Sequence, residues 1–142
     1  MKRVFIVHGW GGFPGEGWFP WLKKELEKKG FEVCVPKMPN TMKPKIKSWV
    51  SYLSKQVGKV DKNTFFVGHS IGCQTILRYL ETLSSKEKIG GAIFVAGWVS
   101  LTPIATRTKT EQAIVKPWFE TPIGFAKIRK TTKNFGSFFS DN

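Results

Sequence analysis

The sequence predicts an α/β fold, a parallel sheet with helices on both faces. Three observations point there. Short apolar runs alternate with segments whose apolar residues recur every three or four positions. The runs are apolar almost throughout, as strands covered on both faces should be. Helical segments lie between successive runs, so the strands are joined by crossovers and pair in parallel.

The elements follow in order. RVFIV at 3–7 is the first strand. WFPWLKKELEKKG at 18–30 sets Trp18, Trp21, Leu22 and Leu26 on one helical face, and Gly30 stops it. FEVCV at 31–35 is the second strand. KPKIKSWVSYLSKQVG at 43–58 repeats the helical spacing through Ile46, Trp49, Val50, Leu53 and Val57. TFFVG at 64–68 is the third strand. The next helix, IGCQTILRYLETL at 71–83, aligns Cys73, Ile76, Leu77 and Leu80. GAIFVAG at 91–97 and FGSFF at 135–139 are the fourth and fifth strands. Residues 98–134 break the pattern, with Trp98, Pro103, Pro117, Trp118 and Pro122 among seven Lys and Arg. They read as an irregular, partly helical excursion over the carboxyl edge of the sheet. Residues 1–142 then form a single domain in which 98–126 is a short cap-like excursion.

Composition narrows the function classes. A chain of 142 residues, 41% hydrophobic and 23% charged, is a soluble globular domain with a real core. No apolar run approaches the ~20 residues of a spanning helix, so no membrane partner is expected. The N-terminal apolar run stops at His8, short for a signal peptide, and the cytoplasm is the default location. The net charge of +13 would suit nucleic acid, but the basic residues are scattered and no nucleic-acid motif accompanies them. A solvated basic surface, with no specific nucleic-acid partner, is the reading. Cys34 and Cys73 have neither metal nor redox spacing. No metal site is expected.

The chemistry-bearing motif is Gly68-His69-Ser70-Ile71-Gly72, a G-x-S-x-G directly after a strand and directly before a helix. Such a turn is so tight that the residues two before and two after the serine must lack bulk. It strains the serine backbone, lifts the hydroxyl clear of the sheet and aims helix N–H groups at a developing negative charge. HGWGGFPGEG at 8–17 follows the first strand, where this architecture draws a second oxyanion donor. The backbone N–H groups of Trp10 and Ile71 are assigned as the two donors. The chain has two histidines. His69 precedes the serine, so the turn aims it away into neighbouring packing. His8 is read as structural, holding the oxyanion loop by hydrogen bonds; as a base it would need hydrogen-bond reach to Ser70.

At these residues the chain resembles the small serine hydrolases typified by retinoblastoma-binding protein nine and the bacterial YdeN-type proteins, of α/β-hydrolase fold. HGWGG, GWFPWLKKELEKKGFEV, MPN at 38–40, SWVSYL, VGHSIGCQTILRYLE, GGAIFVAG and ETPIGFAKIRK resemble family segments in order. The resemblance implies a hydrolase of small esters or related acyl substrates, cofactor-free, with a Ser, Asp and His triad. With right-handed crossovers it also implies the sheet order 2-1-3-4-5. Ser70 falls on the nucleophile. The family aspartate would follow Asn142, and Asp141 stands two positions early. The family histidine, last strand and closing helix have no counterpart in these residues. The expectation is therefore a serine presented for attack, with weak activity in this chain. A non-catalytic binding or scaffold protein using the basic surface is the alternative. An uncovered last strand carrying Phe135, Phe138 and Phe139 should also invite self-association.

Overall fold

Each apolar run becomes a strand because its side chains find cover on both sides. The computed structural model describes residues 1–97 and 108–139. Its elements are β1 (Arg3–Val7), α1 (Phe19–Lys28), β2 (Glu32–Cys34), α2 (Ile46–Val57), β3 (Thr64–His69), α3 (Ile71–Glu81), β4 (Gly91–Val95), α4 (Lys109–Glu120), α5 (Phe125–Ile128) and β5 (Phe135–Phe138). The five strands form one sheet in the order β2-β1-β3-β4-β5, every pair parallel. The α/β fold and the 2-1-3-4-5 order expected from the sequence are what the chain adopts. Among the described residues no helix is long and apolar enough to cross a membrane.

Successive residues of β1 feed two cores. Phe5 and Val7 pack toward α2 and α3, while Val4 and Ile6 pack toward α1. The larger core gathers Trp49, Leu53 and Val57, one stripe of α2, with Ile71, Ile76, Tyr79 and Leu80 of α3. The smaller lies under α1, around Phe19, Val33 and Val67. The register sets Val7 beside Gly68 and His69 beside Val95. The carboxyl ends of β1, β3 and β4 are therefore level, and the loops that follow them meet.

Residues 98–107, part of the stretch read as a cap-like excursion, lie outside the described residues. From 108 onward the chain is more regular than its composition suggests. Thr108 caps α4 by accepting a 3.1 Å bond from the Glu111 N–H. The helix continues through Pro117 and buries Val115 and Trp118. The Trp118 ring packs against Trp49, and its Nε1 donates to Pro44 O at 3.0 Å. Arg78, buried in α3, donates to Trp118 O at 3.0 Å and Thr121 O at 2.9 Å, a cation at the carbonyl end of α4. Ile128 of α5 then enters the larger core. The described part of this stretch is thus docked on α2 and α3.

Among the described residues, the opposite face is open beyond α1. Over β3, β4 and β5 runs a groove of about 1090 Å³, floored by Phe65, Val67, Ile93 and Phe138 and walled by Trp21 and Leu22. Ile93 is 40% exposed and Phe138 61%. Apolar surface of this kind beside a strand edge that no described residue pairs favours pairing with another chain. Self-association through β5 is the expected behaviour. Sedimentation velocity over a concentration series should show species larger than a monomer, and Phe138→Lys should restore the monomer. A wild-type chain that stays monomeric at every concentration would contradict this.

Candidate active site

β3 ends at His69 and α3 begins at Ile71, so a single residue turns the chain from strand to helix. That residue is Ser70, with φ 54° and ψ −124°. Few side chains tolerate a positive φ, and holding one there costs roughly 1–3 kcal/mol. The neighbours explain why the turn keeps it. A Cβ on Gly72 would lie 2.6 Å from His8 O and still closer to Val7 O. A Cβ on Gly68 would lie 2.9 Å from Cys73 N. Only a bare backbone lets α3 start this close to the ends of β1 and β3. Ser70 N–H donates to Val95 O at 3.0 Å, and Cys73 N–H returns to Ser70 O at 3.0 Å.

The loop after β1 folds over this turn. A Cβ on Gly9 would sit 3.1 Å from Ser70 Cβ and 3.6 Å from Ser70 Oγ, so backbone abuts the serine directly. The loop is held by short bonds. Gly12 N–H donates to Gly9 O at 3.0 Å, Gly11 N–H to Thr41 O at 2.8 Å, and Trp10 Nε1 to Met42 O at 2.9 Å. Trp10 N–H lies between these anchors. Ile71 N–H belongs to the first turn of α3, where no intrahelical acceptor exists.

His8 is fully buried and engaged at both nitrogens. Met38 N–H donates to Nε2 at 3.0 Å, which puts the ring proton on Nδ1, and Nδ1 donates to Gly9 O at 2.9 Å. The ring also meets Trp49 edge-on at 5.6 Å. It acts as a rivet between the loop after β1 and the loop after β2. Burial pushes its pKa below the ordinary 6.5; the bond to Gly9 O and the charge of Glu16 offset this only in part. The His69 ring lies edge-on to Trp18 and Phe19, and its buried Nδ1 has no hydrogen-bond partner. Burial raises the Cys73 thiol to about 12, so no thiolate competes with the serine hydroxyl. Among the described residues no three His, Cys, Asp or Glu side chains gather as metal ligands. Asp141 lies outside the described residues.

The sequence reading used residues 38–40 only for their resemblance to a family segment and gave 38–42 no bracing role. The signal for that role was Asn40, flanked by Pro39 and held at φ 45°, the left-handed region that asparagine tolerates best.

A buried neutral histidine links stability to pH. The unfolded chain protonates His8 near 6.5, whereas the folded chain does so only at lower pH. The contribution is complete above pH 6.5 and is lost as pH falls from there toward the folded value. Thermal melts between pH 8 and pH 5 should show Tm falling through this window. His8→Gln should lower Tm at pH 8 and flatten the fall; an unchanged profile in the variant would refute the linkage.

Comparison with known proteins finds relatives of the same fold. A family profile described as Serine hydrolase matches residues 4–133. YdeN of Bacillus subtilis (strain 168) is 39% identical over 102 residues, covering 72% of this chain and 54% of that protein. Serine hydrolase RBBP9 of Rattus norvegicus is 30% identical over 101 residues, covering 69% and 52%. The chain thus spans about half the length of these relatives. The crystal structure of the B. subtilis ydeN gene product superposes with a TM-score of 0.87 at 32% identity, over 100% of this chain and 73% of that one. A monoacylglycerol lipase from Paleococcus ferrophilus shares the fold, with a TM-score of 0.61 at 22% identity over 84% of this chain and 47% of that one. With its profile match over most of its length and a strained serine turn between β3 and α3, this chain belongs to the serine hydrolase family.

Proposed function

We propose that the chain acts, as part of a cytoplasmic hydrolase, on a small ester or related acyl substrate, with Ser70 as nucleophile. The observation that carries the reading is Ser70 itself, held at positive φ between strand and helix with the Gly9 backbone against its Cβ. In the proposed reaction Ser70 Oγ attacks the acyl carbon, and its proton passes to a base. The negative oxygen that forms is held by the N–H groups of Trp10 and Ile71, which supply preorganised donors. The ester C–O bond then breaks, the alcohol leaves with the proton, and water hydrolyses the acyl-serine.

The base is the demanding part. His8 has both nitrogens committed to Met38 N–H and Gly9 O, and a neutral buried ring suits a rivet better than a proton acceptor. The His69 ring is packed against Trp18 and Phe19. Rates should therefore be low in these 142 residues. In well-studied triads the oxyanion hole and binding alone retain roughly 10³–10⁴ over water.

The test is hydrolysis of a short-chain nitrophenyl ester together with labelling by a fluorophosphonate probe. Slow turnover and slow labelling are expected, both abolished in Ser70→Ala. Fast stoichiometric labelling would show that a base reaches Ser70 after all. Labelling that survives Ser70→Ala would remove the assignment.

A further inference from the structure

The carboxyl edge of the sheet carries two features that the acyl chemistry does not use. The first is a lip of exposed apolar side chains. Met42 is 67% exposed and Phe13 52%. Both project from the loops that frame Ser70. The loop with Phe13 follows β1 and holds Gly9 against the serine, and the loop with Met42 follows β2. The two are tied by Gly11 N–H to Thr41 O and by Trp10 Nε1 to Met42 O, so they form one surface.

The second feature is charge. Between Cys34 and Asp61 the chain has six lysines and no acid. Lys37, Lys43 and Lys45 lie in the connection from β2 to α2, and Lys47 in the first turn of α2; all four are exposed. In a parallel sheet that connection runs along the carboxyl edge, beside Met42. The N-terminus of α2 adds its positive end and has no acidic residue in its first turn to offset it. Lysines alone would be a solvated face, and a lone Met or Phe would be ordinary surface. Together they are apolar anchors at the mouth of the serine turn, with four cations on the Met42 side and one acid, Glu16, in the loop of Phe13.

We infer that this lip docks on the surface of an anionic lipid bilayer, with Phe13 and Met42 entering the headgroup layer and Lys37, Lys43, Lys45 and Lys47 meeting lipid phosphates. Surface docking needs no spanning helix, so it revises the expectation of no membrane partner, which rested on the lack of a long apolar run. It would face the Ser70 turn toward substrates that partition into lipid. The inference uses the position of Ser70 but no step of its chemistry.

The test is co-flotation of the 142-residue chain with vesicles of phosphatidylcholine, alone or with about 30 mol% phosphatidylglycerol. Partition should favour the anionic vesicles at least tenfold and weaken as salt rises. A surface lysine contributes about fivefold, so the combined Lys43→Gln, Lys45→Gln, Lys47→Gln variant should lose on the order of a hundredfold. Met42→Ser with Phe13→Ser should lose about tenfold. These side chains are exposed, so the fold should persist, which thermal melting checks. Lys59→Gln, Lys62→Gln, Lys86→Gln makes the same charge change at the opposite edge and should lose far less. Equal binding to neutral and anionic vesicles, no partition at all, or an equal loss in the opposite-edge variant would overturn the inference. Tighter binding to duplex RNA, lost in the same lysine variant, would assign the face to nucleic acid instead. Vesicle docking without any Ser70 labelling would leave the docking face standing and remove the hydrolase reading.

Discussion

The structure depends on the contact between the start of α3 and the end of β1. The helix begins so near the strand that no Cβ fits at Gly72, beside the carbonyl oxygens of Val7 and His8. That approach leaves one residue to reverse direction, and Ser70 does so at a φ that its side chain would ordinarily avoid. The strain persists because the cores on both sheet faces over-determine the path. Ile71, Ile76 and Leu80 anchor the helix in one core, while Val67 anchors the strand in the other. Local cost and global packing are two sides of one arrangement, and it turns a serine hydroxyl out toward the loops.

Around that turn, support comes in layers. Gly9 touches the serine, His8 fixes Gly9, Met38 fixes His8, and Trp49 packs on the His8 ring. Trp49 in turn packs on Trp118, which hydrogen-bonds Pro44 at the entrance to α2. A line of contacts therefore runs from the candidate oxyanion loop to α4. His8 must stay neutral for its part, since its Nε2 accepts from an amide.

Much of this was legible in the sequence where one physical signal dominated. RVFIV and GAIFV read as buried strands because nothing polar interrupts them, and G-x-S-x-G between strand and helix marked the turn. α2 was legible through Trp49, Leu53 and Val57 on one stripe. α4 was obscured because Pro117 argues locally against a helix, although Thr108-Lys109-Thr110-Glu111 is a capping signature that marks its start. Tertiary burial of Val115 and Trp118 outweighs the proline. The bracing of the loop after β1 by Thr41 and Met42 could not be read, since it joins segments about thirty residues apart through one backbone N–H and one indole N–H, both donating to carbonyls that any sequence carries.

The proposed reaction requires Ser70 and the amides of Trp10 and Ile71 to form one anion-receiving site. It is tested most directly by amide NMR during titration with a short alkylboronic acid, which forms a negatively charged tetrahedral adduct on a nucleophilic serine. The largest shifts should fall on the Trp10 and Ile71 amides and disappear in Ser70→Ala. Shifts centred elsewhere, or unchanged by that substitution, would contradict it.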